Sequence, residues 1–144
     1  MNDNDRALCA ATAHLLRAAG AMAACGLALG LIAVAVLALT GRSLSLLSCM
    51  GFGATAILGV FERYMALRVH FDARLFDDVG RGTIGSLAML DTALQRLGLR
   101  QAGSTTRRLD DRVLGARQLM QRHTIAVACQ SALFVLALLT QDLR

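Results

Sequence analysis

The sequence predicts an all-α integral membrane protein with three transmembrane helices and a cytoplasmic amphipathic helical bundle. Residues 19–40, 43–61 and 124–141 each lack any charged side chain. At a rise of 1.5 Å per residue, these stretches have the length of about 20 residues that the hydrocarbon core of a bilayer requires. The chain is 56% hydrophobic and has no proline to break a helix. One structural unit of 144 residues is expected.

We divide the chain into a cytoplasmic N-terminal segment (1–18), a transmembrane helical hairpin (19–61), a cytoplasmic helical region (62–122) and a third transmembrane helix with a short tail (123–144). Residues 40–43 are typical of a turn, with Gly41 as a helix C-terminal cap. A connection this short makes the first two spans antiparallel neighbours. The first apolar stretch is longer than a signal-peptide core and a second follows at once, so we expect it to be retained.

Small residues on the first two spans predict close helix packing. Gly26 and Gly30 are four residues apart on the first span, and Gly51, Thr55 and Gly59 repeat every four residues on the second. In lipid, helices associate largely through such small-residue contacts. They could form the internal hairpin or a homo-oligomer, and we favour the hairpin because one chain offers two matching faces.

The third span carries one strongly polar side chain, Gln130. An amide in hydrocarbon needs a hydrogen-bond partner. We therefore expect Gln130 to face the hairpin or a partner subunit.

The charge distribution predicts the orientation. Residues 62–122 carry eleven arginines against seven acidic residues. Cytoplasmic segments of membrane proteins are enriched in basic residues, so we expect the N-terminus in the cytoplasm and the C-terminus in the periplasm of a bacterial inner membrane. We expect four arginines of this segment to contact a partner or the lipid surface: Arg63, Arg68, Arg117 and Arg122.

Three helices are predicted in the cytoplasmic region. The first continues the second span to about Gly80, the second covers residues 83–99 with Thr83 as N-cap, and the third begins near Thr105 or Thr106 after a loop at 100–106. The first of these helices is expected to bury a stripe of apolar residues: Tyr64, Leu67, Phe71, Leu75 and Val79.

Candidate chemical sites are few. The pairs Asp77-Asp78 and Asp110-Asp111 could hold Mg²⁺, but they lack DDxxD spacing, and pairing with arginine explains them more simply. The four cysteines form no CxxC motif, and His14, His70 and His123 are expected to be structural. No ionisable residue is expected deep inside a span, which argues against an ion-coupled transporter. We predict no catalytic residue, metal or cofactor.

These observations predict a non-enzymatic accessory or interaction subunit that docks a membrane or cytoplasmic partner through its cytoplasmic helices. The alternative is a small homo-oligomeric pore, holin-like protein or transport component. A membrane enzyme that uses the acidic pairs is a third hypothesis. Expected partners are membrane lipid and other protein subunits. Nucleic acid is not expected, because acidic residues intersperse the arginines and aromatic residues are only 4% of the chain.

Overall fold

The computed structural model describes residues 2–98 and 108–141, which form four α-helices and no strand. The helices are α1 (Asp3–Thr40), α2 (Leu46–Gly80), α3 (Leu87–Arg96) and α4 (Leu109–Leu139). Three of them, α1, α2 and α4, are long and apolar enough to cross a membrane. The expectation of an all-helical chain with three such helices is therefore confirmed.

The ends of α1 and α2 follow local sequence signals. Asn2 caps α1 by accepting a hydrogen bond from the backbone N–H of Asp5, whose carboxylate accepts one from the Asn2 N–H. Gly41 ends α1 in a right-handed conformation, with a φ of −53°. After α2, Gly82 adopts a φ of +76°, and the Thr83 N–H donates to the Asp78 carbonyl at 3.0 Å. This is the Schellman arrangement, which favours glycine because of its positive φ.

The short helix α3 starts later than the sequence predicts. Thr83 belongs to the turn that closes α2, so it cannot cap the next helix. Ser86 takes that role, since its hydroxyl accepts the Met89 N–H at 3.2 Å. Thr105, Thr106 and the predicted loop at 100–106 lie outside the described residues, and α4 begins at Leu109.

The three long helices form a bundle in which α2 runs antiparallel to α1 and α4. Gly30 of α1 faces Gly59 of α2, while Cys9 near the start of α1 lies against Gly80 at the end of α2. Along the other interface, Gly51 lies against Ala137. Helix α3 is attached to this bundle through Leu90 and through an ion pair between Asp91 and Arg112 of α4.

Interior positions of the three long helices recur every seven residues. This is the spacing of left-handed coiled coils, in which a 3.5-residue period keeps one seam facing the partner helices. The buried residues that follow it are Ala19, Gly26 and Ala33 on α1, Ser48, Thr55, Glu62, Val69 and Phe76 on α2, and Ala116, His123, Gln130 and Ala137 on α4.

Two apolar clusters fill the bundle. The loop-end cluster lies near the α1–α2 connection and is built on Ala33, Phe52 and Ala137, with Phe134 packed edge-on against Phe52 at 5.6 Å between ring centroids. The far-end cluster lies at the opposite end; it includes Cys9, Leu16, Val69, Phe76 and Leu90. Polar side chains occupy the interior between the two clusters.

The prediction that an apolar stripe on α2 is buried is wrong for the first three residues of that stripe. Tyr64 and Leu67 are 62% and 72% exposed, and Phe71 is exposed as well, whereas Val79 is buried. The stripe advances mostly in four-residue steps, so it drifts around the helix relative to the 3.5-residue interior seam. It starts on the outer face and reaches the interior only near Val79.

Candidate functional site

A buried acid–base pair joins α2 to α4. Nε2 of His123 lies 2.6 Å from Oε1 of Glu62, and both side chains are 0% exposed. The two residues meet because α2 and α4 are antiparallel. Glu62 and His123 are interior positions of their helices and lie at the same height along the bundle. A carboxylate removed from water is costly unless it is paired and hydrogen-bonded, so each residue depends on the other.

The second oxygen of Glu62 is held by Arg63. Nε of Arg63 lies 3.3 Å from Oε2 of Glu62, and its Nη2 donates to the Ala23 carbonyl of α1 at 2.5 Å. The guanidinium therefore links α2 to α1 while remaining 39% exposed. The carboxylate lies between an enclosed imidazole and a guanidinium that reaches the surface.

Gly26 provides the space for this pair on α1. A Cβ atom at position 26 would lie 2.8 Å from Cδ of Glu62, closer than real side chains approach. On α2, a Cβ at Gly59 would lie 2.9 Å from Nε2 of Gln130. Both glycines are thus required for polar side chains to enter the helix interface.

Gln130 lies one heptad above His123 and completes the polar layer, which we define as Gly26, Thr55, Glu62, His123 and Gln130. Its Nε2 donates to the Gly26 carbonyl at 2.9 Å and to the Thr55 carbonyl at 3.4 Å. Each carbonyl has a second lone pair, so these bonds do not require breaking the helices. The layer therefore ties all three long helices together.

Two buried polar atoms of this layer have no hydrogen-bond partner within the described residues: Nδ1 of His123 and Oε1 of Gln130. Buried polar atoms are usually satisfied. The His123 atom is of particular interest because that residue also lines a groove.

The basic groove, as we call it, runs between α1 and α2 and has a volume of about 220 Å³. Four of its lining residues carry basic side chains: Arg17 from α1, Arg63 and His70 from α2, and His123 from α4. Small residues on α1 leave the space open, since a Cβ at Gly20 would meet nothing within 4 Å. Leu16 and Leu67 supply apolar walls.

The acidic pairs are placed apart and beside arginines. Asp77 binds Arg17 at 2.6 Å and Arg81 at 2.9 Å, whereas Asp110 lies 4.0 Å from Arg108 in the first turn of α4. Within residues 2–98 and 108–141, no three His, Cys, Asp or Glu side chains converge as a metal ion would need.

Two titratable groups outside the polar layer, Cys9 and Asp72, have shifted pKa values. Burial raises the pKa of the Cys9 thiol, and nearby Asp5 raises it further. Cys9 is therefore less able to form the nucleophilic thiolate. Burial also raises the pKa of the Asp72 carboxyl, while the charge of Arg68 partly opposes that rise.

The residues predicted from sequence divide into two groups. Gly26, Gly30, Thr55, Gly59 and Gln130 come together between the helices, and Gly51 faces Ala137 nearer the loop. Of the predicted arginines, only Arg63 lies against the groove and the polar layer. Arg68, Arg117 and Arg122 are exposed.

Glu62 is the residue that the sequence analysis missed, and its position corrects one expectation. It follows the second apolar stretch directly, but in the bundle it lies level with Gly26, which is seven positions inside the first one. At 1.5 Å per residue this is about 10 Å from the end of that stretch. Ionisable side chains therefore do enter the interior beside the first predicted span. Glu62 is also the only glutamate in the chain, which was the available signal.

Comparison of the chain with protein-family models, curated proteins and solved structures gives no match.

Proposed function

We propose that the protein is a non-enzymatic subunit of a bacterial inner membrane, which docks a membrane or cytoplasmic protein partner through residues 62–122. The observation that carries this proposal is the enclosure of the polar layer. Glu62, His123 and Gln130 are each 0% exposed, so they hold helices together and are not open to a substrate. Among the described residues, no other polar cluster offers a reactive arrangement.

Membrane insertion is supported by the outer surface of the three long helices. Large aliphatic side chains there are widely exposed, including Leu39 at 84% and Leu46 at 78%. A water-soluble protein rarely exposes apolar surface on all sides, whereas lipid favours it. We place the α1–α2 connection in the periplasm and both the start of α1 and α3 in the cytoplasm, because the arginine excess lies on that side.

Protein docking is supported by apolar side chains at the cytoplasmic end. Met89 of α3, Leu97 directly after α3, and Leu114 of α4 are exposed, although this end of the bundle also carries many charges. We therefore propose a partner that offers an apolar face bordered by acidic residues, which would complement both the apolar side chains and the neighbouring arginines.

Site-specific photocrosslinking in native membranes tests the docking proposal. A photoreactive residue at position 89 or 97 should form a protein adduct of discrete mass, because these positions contact the partner. The same residue at Leu31, on the lipid-facing surface of α1, is the matched control and should form none. Absence of an adduct at positions 89, 97 and 114 would refute docking through this surface.

Topology is tested separately by the labelling of single cysteines with a membrane-impermeant reagent. In a background without the native cysteines, Ser43→Cys in the α1–α2 connection should label from the periplasm and Arg81→Cys should not. The reverse pattern would show that the orientation is wrong while leaving membrane insertion intact.

The homo-oligomeric pore loses its main support when the small-residue stripes are placed in the structure. Gly26, Gly51 and Gly59 all face the interior of one bundle, where other side chains already occupy the adjoining space. A native mass corresponding to a single chain in mild detergent, with no leakage from reconstituted vesicles, is the result expected from this packing.

A further inference from the structure

We propose that the outward face of α2 binds a helix of a second membrane protein, which crosses the membrane beside α2 and continues into the cytoplasm with acidic residues on its flanks. This inference deepens the proposed function, because it names the class of partner. It rests on the proposed membrane insertion, but not on the exposed apolar surface around α3.

A second apolar seam runs along α2, on the side opposite the bundle interior. Its positions are separated alternately by four and three residues, which is the spacing of a coiled-coil seam. We call it the outer seam, and it consists of Gly53, Ile57, Val60, Tyr64, Leu67 and Phe71. All five side chains are exposed, Ile57 at 75% and Val60 at 74%. Tyr64 follows the interior residue Glu62 by two positions, or about 200° around the helix, so it points away from the interior.

Gly53 leaves room for a second helix on this face. A Cβ atom at position 53 would meet nothing within 4 Å. Helices in lipid approach each other closely at such small residues. Since Gly53 lies in the charge-free part of α2, this close approach would take place inside the membrane.

The outer seam continues beyond the apolar part of the bundle. Gly26 of α1 lies against Glu62 of α2, and the two helices are antiparallel. Phe71, nine residues after Glu62, is therefore level with Arg17, nine residues before Gly26. This depth is about 14 Å beyond Glu62, and the charge-free stretches of all three long helices have ended there. Lipid does not cover apolar side chains at this depth, and apolar surface exposed to water marks a protein contact.

The length of the outer seam indicates that its occupant is a membrane-spanning helix. Eighteen residues separate Gly53 from Phe71, which corresponds to about 27 Å of helix. A lipid chain would cover only the part inside the membrane, and a water-soluble protein only the part outside it. One helix that covers both parts must cross the membrane and continue on the cytoplasmic side.

The charged residues beside the outer seam argue against a second copy of this chain as the partner. Two copies inserted in the same orientation would pair their α2 helices in parallel. In a parallel coiled coil, the residues that flank the seam on either side meet across the two helices. Arg63 and Arg68 flank the outer seam on its two sides, so self-pairing would bring arginine toward arginine, which disfavours it.

A partner helix with acidic flanking residues would complement this surface. Arg68 is exposed beside the outer seam, and Arg74, also exposed, takes the position that would follow Phe71 in it. Of the neighbouring acidic residues, Asp72 is partly buried and Asp78 lies one turn beyond Arg74. Carboxylates on the partner opposite the two arginines would specify its register, as complementary charges do in coiled coils.

Photocrosslinking of the full-length chain in native membranes tests the outer seam through its period. A photoreactive residue is placed at position 57, 64 or 71, which are one heptad apart. Each should give an adduct with the same protein. Mass spectrometry of the crosslinked peptides should place the three contacts seven residues apart, on one membrane-spanning helix and its cytoplasmic continuation. Gln121 of α4 is the matched control, because it is exposed and level with Tyr64, and it should give no adduct with that protein.

Two pairs of variants test the chemistry of the contact, with the photoreactive residue at position 64. Leu67→Asp should lower the adduct yield about tenfold, whereas Gln118→Asp, at the same depth on α4, should leave it unchanged. Arg68→Gln should lower the yield about threefold, and Arg117→Gln, again at the same depth on α4, should not. Equal yields from Arg68→Gln and Arg117→Gln would overturn the acidic flanks of the partner.

The other outcomes have distinct meanings. Contacts that map to α2 of a second copy would overturn the choice of partner. Adducts with lipid alone at positions 64 and 71, or protein contacts without the seven-residue period, would overturn the outer seam as a helix-binding site. Adducts at positions 89 and 97 but none on the outer seam would overturn this inference and leave the proposed docking surface standing. Adducts on the outer seam alone would do the reverse.

Discussion

The interface between α2 and α4 is polar at two levels that differ in chemistry. Near the loop end, the hydroxyls of Ser45 and Ser48 donate to the backbone carbonyls of Thr140 and Ala137 at 2.6 and 2.8 Å. In the polar layer, Glu62 instead meets the side chain of His123. A hydroxyl uses a carbonyl that any residue provides, whereas Glu62 requires one particular residue on the other helix.

This difference indicates which level determines how the helices align. The serine contacts would survive many substitutions on α4, because the acceptor is backbone. A shift of α4 by one seam position would leave the Glu62 carboxylate buried without its imidazole, which is a severe penalty. The polar layer therefore specifies the register of α4, and the serine contacts add stability without specificity.

Removal of the Glu62 side chain should have the largest effect. Glu62→Ala leaves the His123 imidazole enclosed without its partner and opens a cavity, so we expect a loss of about 3 kcal/mol in the free energy of unfolding. Unfolding of the purified protein in mixed micelles, followed by circular dichroism, measures this loss.

A double-variant cycle supplies the control for this result. His123→Ala alone should also be strongly destabilising, but Glu62→Ala combined with His123→Ala should cost clearly less than the sum of the two. Strict additivity would show that the two side chains do not depend on each other, contrary to the proposed role of the pair.

A methyl group at position 26 should have the next largest effect. Gly26→Ala places Cβ against the Glu62 carboxyl group, which cannot move without losing its partners, so we expect a cost of about 2 kcal/mol. Gly53→Ala on α2 is the matched control, because its Cβ meets nothing within 4 Å and its helix propensity improves. Thermal unfolding should give a lower midpoint for the first variant only, and similar midpoints would contradict tight packing at Gly26.

Loss of a serine hydroxyl near the loop should have a smaller effect. Ser48→Ala removes one bond to the Ala137 carbonyl, which still accepts the Thr140 hydroxyl at 3.3 Å, and interhelical hydrogen bonds of this kind contribute about 0.6 kcal/mol on average. The same unfolding measurement applies, with Ser131→Ala as a reference, because the Ser131 hydroxyl donates within its own helix, to the Val127 carbonyl. A loss as large as that of Glu62→Ala would reverse the comparison between the two levels.

Removal of the charge of Asp72, whose carboxyl is partly buried, should have the smallest effect on stability. Burial raises the pKa of its carboxyl above the ordinary 3.8, so the ionised form is disfavoured in the folded state. The resulting cost to stability is present at neutral pH and disappears as the pH falls through the raised pKa toward 3.8. Asp72→Asn should therefore stabilise the protein at pH 7, by less than about 0.5 kcal/mol.

The pH dependence is the control for this prediction. The difference in unfolding midpoint between Asp72→Asn and the wild type should shrink on acidification. A difference that is constant with pH would show that the carboxyl charge is not its cause.

The three long helices could be predicted from the sequence because the signals for them are local. These signals are the uninterrupted apolar stretches, the absence of proline, and the presence of turn residues between the first two stretches. Sequence reasoning also selected residues that the structure brings together, such as Gly26, Gly59 and Gln130, because small and amide side chains in lipid-facing helices have few other uses. It did not pair Glu62 with His123, since each was assigned to the end of its own span and the vertical alignment of the spans was unknown.

The sequence does contain information on how α2 and α4 align, in polar residues that repeat every seven positions on both helices. Ser48, Thr55 and Glu62 follow this repeat on α2, as do His123 and Gln130 on α4. If α2 and α4 are aligned so that these polar series match, Glu62 falls opposite His123. The start of α3 was missed for a different reason: the turn that closes α2 used Thr83, and nothing in the linear pattern distinguished it from Ser86 as a cap.

The dependence of Glu62 on His123 has a consequence for the order of assembly. Residues 1–80 emerge from the ribosome before α4, so the first two helices can pair while the carboxylate still lacks its imidazole. The hairpin is then an intermediate in which the Glu62 carboxylate has no imidazole partner, and packing of α4 against the hairpin supplies that partner. A chain truncated before α4 should accordingly be a preferred target of membrane quality-control proteases, although both of its long helices are intact.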